Sequence, residues 1–223
     1  MFEMNRPQKH AFIEGEGDRW FGRNPTRQWE DDYLVRVLEA QCVKPARLLE
    51  IGCSDGGRLN HLQKRWGCTA HGVDPSANAI AAGASAFPNL HLQCGTADAL
   101  PFEAGAFDCV IFGFCLYVCD PMDLFKIASE ADRVLVDEGR MVIYDFSPPF
   151  AFYNAYSHQK ELRSWKMDHA AMFLWHPFYR LMHYSQAGHG GANEHSPDER
   201  IAVSVLLKQQ GFAYAPNPWK DDS

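Results

Sequence analysis

The chain has 223 residues, 46% hydrophobic and 13% aromatic, with 28 Asp and Glu against 21 Lys and Arg for a formal net charge of −7. That supplies core material for one domain of ordinary to large size, and the acidic balance without a basic run argues against nucleic acid as the main partner. No apolar run reaches the roughly 18 residues that mark a membrane span, and MFEMNRPQKHAF lacks the charged-then-apolar pattern of a secretory signal, so the expected setting is the cytoplasm, with no membrane contact.

In chain order, residues 1–44 precede the first strand and are expected to form a helical cap. RLLEIGC (47–53) is a short apolar run that ends in an acid and small residues. GRLNHLQKRWG (57–67) has helical spacing, with Leu59, Leu62 and Trp66 on one face. CTAHGVDPS (68–76) reads as a strand stopped by Asp-Pro, and the Ala-rich ANAIAAGASAF (77–87) as a helix. LHLQCGTAD (90–98) and FDCVIFGFC (107–115) are the next strands; the unbroken apolar centre of the second fits a strand covered on both faces. An amphipathic helix and turn (123–139) lead to the strand RMVIYDF (140–146).

Strands alternating with helices predict a doubly wound, mostly parallel sheet, with ligands bound beyond the carboxyl ends of its strands. Residues 147–186 differ: they are dense in aromatics and histidines and broken by Pro148, Pro149 and Pro177. They are expected to form an aromatic lid insertion over the ligand mouth, leaving through the polar, mobile loop AGHGGANEHSPDE to complete the 147–199 segment. RIAVSVLLK (200–208) alternates like a strand, although Ser196-Pro197-Asp198-Glu199 before it resembles a helix start; the strand reading is preferred, within a terminal segment 200–223. The whole chain is read as one domain, 1–223, with 45–146 as its ligand-binding core.

The seven cysteines (42, 53, 68, 94, 109, 115, 119) form no CxxC pair and read as free thiols of a reducing compartment. Cys115 and Cys119 lack a second pair at metal-binding spacing, and His183, His189 and His195 read as solvated loop histidines, so no metal is expected.

The loop in LLEIGCSDGGRL (48–59) has three possible ligands. Gly56-Gly57 is followed by Arg58-Leu59 rather than Lys-Ser/Thr, which disfavours a phosphate loop. Gly52, Ser54 and Gly57 lack the middle glycine of a dinucleotide loop, where the backbone meets pyrophosphate. Glu50 and Asp55 would also repel a pyrophosphate. S-adenosylmethionine reverses these demands, because its sulfonium and amino groups favour acids through charge-assisted hydrogen bonds. Glu50, Gly52, Ser54 and Gly56 form an acid-x-Gly-x-small-x-Gly pattern. Asp74 is placed to accept the ribose hydroxyls, and Asp98, after Thr96-Ala97, the adenine amine.

LLEIGCSDG, HGVDPS, CGTADALPFEAGAFDCVIFGFCLYVCDP and ADRVLVDEGRMVIYDF resemble the class I S-adenosylmethionine-dependent methyltransferases across 45–146. Ser54 departs from the usual middle glycine, and Gly139-Arg140 stands in for the family's glycine pair. FIEGEGDRWFGRN and WKMDHAAMFLWHPFYR resemble a small-molecule, glycan-precursor subgroup. The resemblance implies a Rossmann-like seven-stranded sheet and a cofactor site of Glu50, Gly52, Cys53, Ser54, Gly56, Asp74, Pro75, Ala97, Asp98, Gly113 and Phe114, with Trp20 and Arg23 from the cap. It also implies methyl transfer to a small-molecule acceptor, a hydroxyl of a sugar or glycan precursor being the leading candidate, in a monomer or homodimer. A hydroxyl acceptor needs a base; the candidates are His158, His169, His176 and Asp168, with Tyr117 expected to face the methyl. The competing readings are a catalytically silent cofactor-binding protein with a protein partner, a protein or RNA methyltransferase and, weakest, a nicotinamide oxidoreductase.

Overall fold

The structure is a computed structural model that describes residues 8–24, 29, 31–41, 43–217 and 219. Cys42, the ends of the chain and part of the expected N-terminal cap lie outside the described residues. The cap begins with α1 (Gln8–Ala11), a wide helical turn (Phe12–Glu16) and α2 (Gly17–Arg23). Helix α3 (Tyr33–Ala40) follows, its first turn closed by Asp32, whose carboxylate accepts from the Val35 amide at 3.2 Å.

The core then alternates β1 (Arg47–Ile51), α4 (Gly57–Trp66), β2 (Thr69–Asp74), α5 (Ala77–Ala86), β3 (His91–Cys94), β4 (Phe107–Gly113), α6 (Leu124–Val134) and β5 (Leu135–Phe146). A hairpin of β6 (Phe152–Ala155) and β7 (Arg163–Lys166), a short α7 (Ala171–Leu174), β8 (Tyr179–Gly188) and β9 (Arg200–Lys208) complete it. The seven-stranded sheet has the order β3-β2-β1-β4-β5-β9-β8. Strands β1 to β5 are parallel neighbours, and β9 runs antiparallel between β5 and β8.

Alternate residues of each strand fill opposite faces, as the pleat requires. Ile51, Val110, Phe112, Met141 and Ile143 meet α6 and α7 on one side. Leu48, Cys109, Ile111 and Val142 meet α3 and α4 on the other. The continuous apolar run of β4 is therefore buried on both faces, as its sequence indicated.

Two expectations change and a third holds. The helix and turn read over 123–139 give way early: the helix stops at Val134, and the strand begins at Leu135 with a bulge where Phe107 pairs with Leu135 but Cys109 pairs with Arg140. Lys208 on β9 fixes that stop, donating to the main-chain oxygens of Asp132 (2.8 Å) and Leu135 (3.1 Å), where a cation suits the negative end of a helix. The 147–186 segment is not one lid insertion, because residues 179–188 are an edge strand of the main sheet, paired with β9 from Tyr179 to Gly188. Its polar side chains are tolerated because much of the edge strand faces solvent. Only the β6–β7 hairpin and its flanks remain to cover the strand ends. The alternation of RIAVSVLLK prevails over the apparent helix start, since β9 is inserted between two strands and almost wholly buried.

Candidate functional site

The strand order reverses between β1 and β4, where crossovers depart to opposite sides and leave a crevice at the carboxyl ends. A cavity of about 590 Å³ lies there, a size suited to a small organic ligand. Its floor is the loop after β1. Gly52 has φ 76°, and a side chain there would meet Cys115 Cβ at 2.5 Å, so only glycine fits. Ser54 is also left-handed, at φ 51°, a conformation that costs a non-glycine residue roughly 1–2 kcal/mol. Its amide donates to Asp74 Oδ2 at 2.9 Å, which holds it there.

The acids differ in what they have free. Glu50 is buried at the end of β1; its Oε1 accepts from Arg58 Nε at 2.8 Å and Nη2 at 2.5 Å. Its Oε2 is buried with no hydrogen-bond partner among the described residues, and Glu50 lines the cavity. Burial pushes the Glu50 carboxyl up, and the Arg58 guanidinium opposes that shift. Arg58 also donates to the Gly113 carbonyl at 3.1 Å, lies 3.7 Å from Asp32 and sits over the rings of Trp29 and Tyr144. In the sequence Arg58 serves only to exclude a phosphate loop, although an arginine opening the helix after a buried acid is a legible signal.

Asp74 accepts the Ser54 amide with one oxygen and the Ser76 amide with the other, both at 2.9 Å, so it is a turn former as well as a cavity residue. Burial raises its carboxyl and the two amide bonds oppose the rise. Asp98 is more fully engaged than expected. Its Oδ2 takes Lys9 Nζ at 2.6 Å and Lys126 Nζ at 3.2 Å. Burial alone would raise its pKa, but the Lys9, Thr96 and Lys126 bonds hold it down at about 2.

Cys53, Pro75, Ala97, Gly113, Phe114 and Trp20 also line the cavity. Gly56 and Arg23 do not. Gly56, at φ 75°, precedes α4. Arg23 turns to the buried Glu16 (2.5 Å), which also bonds Arg19 (2.9 Å) and the Tyr156 hydroxyl (3.1 Å). The cap is thereby tied to the hairpin, as it is at Gln8, which accepts from the Arg163 amide at 2.6 Å and Trp165 Nε1 at 3.2 Å.

The candidate bases separate. Tyr117 and His158 line the cavity, Tyr117 accepting from the Trp20 indole, with its phenol pushed up by burial. His169 does not reach the cavity: it is 1% exposed, neither ring nitrogen has a partner among the described residues, and burial lowers it to about 4. His176 lies elsewhere, accepting from the Phe178 amide at 3.3 Å beside Trp175. Asp168 accepts the Ala170 amide at 3.1 Å, forming the turn into α7. Helical and turn geometry in 168–176 directs these side chains away from the strand ends. Conversely, the loop read as solvated sends His189, Asp198 and Glu199 to the cavity wall. No local pattern marks them, because their neighbours come from distant β4, β5 and β7.

These features combine a reversed strand order, a glycine loop and an acid at the end of each of the first two strands, and residues 48–139 match the protein-family model described as "Methyltransferase domain". Over residues 48–139 the chain is therefore similar to a methyltransferase domain, and its fold is the Rossmann-like fold of S-adenosylmethionine-dependent methyltransferases. A demethylmenaquinone methyltransferase of Staphylococcus aureus is 32% identical over 155 residues, 66% of this chain and 64% of the relative. An uncharacterized methyltransferase of Synechocystis sp. is 29% identical over 120 residues, 54% of this chain and 57% of the relative. The chain thus spans less than two thirds of either. The Burkholderia thailandensis 1,6-didemethyltoxoflavin-N1-methyltransferase, solved with 1,6-didemethyltoxoflavin and S-adenosylhomocysteine, aligns over 94% of this chain and 93% of its own at a TM-score of 0.69 and 18% identity, a likeness of fold. No described helix is long and apolar enough to cross a membrane.

The residues of the cavity fit S-adenosylmethionine in charge. Among the described residues, nine carboxylates and three Lys or Arg line the cavity. The unpartnered Glu50 Oε2 needs a donor, which a ligand ammonium supplies and a pyrophosphate does not.

Proposed function

We propose that the protein transfers a methyl group from S-adenosylmethionine to a hydroxyl of a small-molecule acceptor. The carrying observation is the buried, unpartnered Glu50 Oε2 on the wall of an acid-lined cavity at the strand switch point. The cofactor supplies a methyl group already activated on a sulfonium. Glu50 accepts the ligand's ammonium, while Arg58 holds the carboxylate in place. Asp74 uses its remaining lone pairs for the ribose hydroxyls, and the Gly52–Ser54 backbone lets the ligand approach. Asp98 either stays with its lysines or releases Lys9 to take the adenine amine. Trp20, Tyr117 and His158 close the wall from the cap, the β4 loop and the hairpin, excluding water from the reacting atoms.

Within WKMDHAAMFLWHPFYR only Lys166 lines the cavity. That segment gives little support to glycan-precursor specificity, and acceptor choice falls instead to the aromatic wall after β4 and β5. Calorimetric titration tests the reading. Micromolar S-adenosylhomocysteine affinity without NAD affinity is expected; NAD binding without S-adenosylhomocysteine binding overturns it.

A further inference from the structure

Beyond the cofactor residues, one end of the cavity is walled by rings. Phe114 contacts Tyr117 at 5.3 Å and Phe146 at 5.0 Å, and Tyr117 meets Phe146 edge-on at 5.3 Å. Phe114 sits at φ 70°, held by its amide bond to the Tyr144 carbonyl at 2.9 Å. Such a bulky residue is strained in that conformation, so its ring direction is fixed by the surroundings rather than by local preference.

His189 lies flat on Phe114, ring centroids 5.2 Å apart and planes 9° apart, and edge-on to Phe146 at 5.4 Å. Glu199 grips it twice. The His189 amide donates to the Glu199 carbonyl at 2.8 Å, and ring Nδ1 lies 3.3 Å from Glu199 Oε2. With Nδ1 carrying the proton toward that carboxylate, Nε2 is the basic nitrogen. Lys166, whose ammonium lies 3.8 Å from the Phe146 ring centroid, pairs with Asp198 at 2.7 Å, and the buried Asp145 behind the wall accepts from the Phe146, Leu116 and Tyr117 amides at 2.7, 2.8 and 3.3 Å. Lys166 and Asp198 neutralise each other and Asp145 is taken up by those amides, so the His189 imidazole is the group placed to move a proton at this wall.

We propose that this end of the cavity takes a flat aromatic acceptor with an ionisable hydroxyl, and that His189, oriented by Glu199, removes its proton. The inference rests on the methyltransferase reading above and names its acceptor class and base. The ring wall offers stacking surface to a planar ligand. In the reaction the acceptor O–H bond breaks and the proton passes to Nε2, its positive charge facing Glu199. The freed oxygen pair bonds the methyl carbon as the carbon–sulfur pair returns to sulfur. Glu199 is a positioning residue, since it acts through the imidazole.

The test uses 4-nitrophenol, whose neutral and ionised forms differ in colour. It is titrated into the full chain saturated with S-adenosylhomocysteine, in buffer below the free phenol's ionisation. The wild-type protein should bind the probe as phenolate. His189→Gln should bind it neutral, with S-adenosylhomocysteine affinity within about twofold, and the bound probe's ionisation midpoint should move by at least about tenfold in proton concentration. Glu199→Gln should fall between them. Absence of probe binding, or equal ionisation in wild type and His189→Gln, overturns the assignment. If His189→Gln loses S-adenosylhomocysteine, Glu199→Gln decides: a more neutral bound probe supports the dyad and an unchanged one overturns it. Failure of the wild type to bind S-adenosylhomocysteine refutes the methyltransferase reading itself.

Discussion

Replacing Arg58 with Met tests how the cavity's acid is held. Glu50 is 1% exposed, and in Arg58→Met its Oε1 loses both guanidinium bonds while Oε2 has none to begin with. The Gly113 carbonyl loses a 3.1 Å bond and Asp32 its 3.7 Å partner. Removing one member of a buried pair costs about 3–5 kcal/mol, a large share of the roughly 5–15 kcal/mol that holds a domain folded. The sign with pH follows from Glu50. Burial already favours its neutral form, and loss of Arg58 removes the main opposing charge. A carboxyl whose folded pKa is raised is tolerated below its unfolded value of 4.5 and destabilises as pH rises through the folded value. Urea unfolding should therefore show the largest loss near about pH 8 and a smaller one near about pH 5. Glu50→Gln combined with Arg58→Met should be less destabilised than Arg58→Met alone, because the orphaned charge is gone. A loss below about 1 kcal/mol near pH 8, or one that does not change with pH, would refute the reasoning.

Asp74→Ala should weaken S-adenosylhomocysteine binding at least about tenfold by calorimetry. It should also cost the ligand-free protein about 1.5–3 kcal/mol in urea unfolding, because the Ser54 and Ser76 amides lose their acceptor. Asp98 is held at about 2, below its ordinary 3.8, so the stability it contributes is present above 3.8 and lost as pH falls toward about 2. The stability gap between wild type and Asp98→Asn should close over that window in acid unfolding curves; a gap constant with pH would show that the lysine pairs are immaterial. Hydrogen-exchange mass spectrometry should show residues 8–24 and 152–166 gaining protection with S-adenosylhomocysteine while β1 and β4 stay protected throughout, since Gln8 and Glu16 tie the cap to the hairpin. Equal, slow exchange in both states would make the cover a rigid part of the core.

The sequence by itself determined the parallel part of the sheet and the strand ends where a ligand would bind, but not the edge strand β8. Periodicity is a local property, so LLEIG, HGVD and FDCVIFG announced buried strands, and the glycines and acids at their ends announced a ligand of positive charge. RIAVSVLLK was legible for the same reason. Only the tertiary structure decided which acids remain free. Arg58, eight residues on, occupies one oxygen of Glu50, and Lys9 and Lys126 share one oxygen of Asp98 through contacts between segments far apart in the chain. It also decided where the histidines go. His169 and His176 stood in the most aromatic stretch, yet turn and helix geometry carries them away from the strand ends. His189 stood in a polar, glycine-containing loop, yet β8 and β9 deliver its ring onto Phe114 with Glu199 behind it. A base is made by the direction of a ring nitrogen and the carboxylate against it, and both depend on strand pairing that residue type and spacing do not encode.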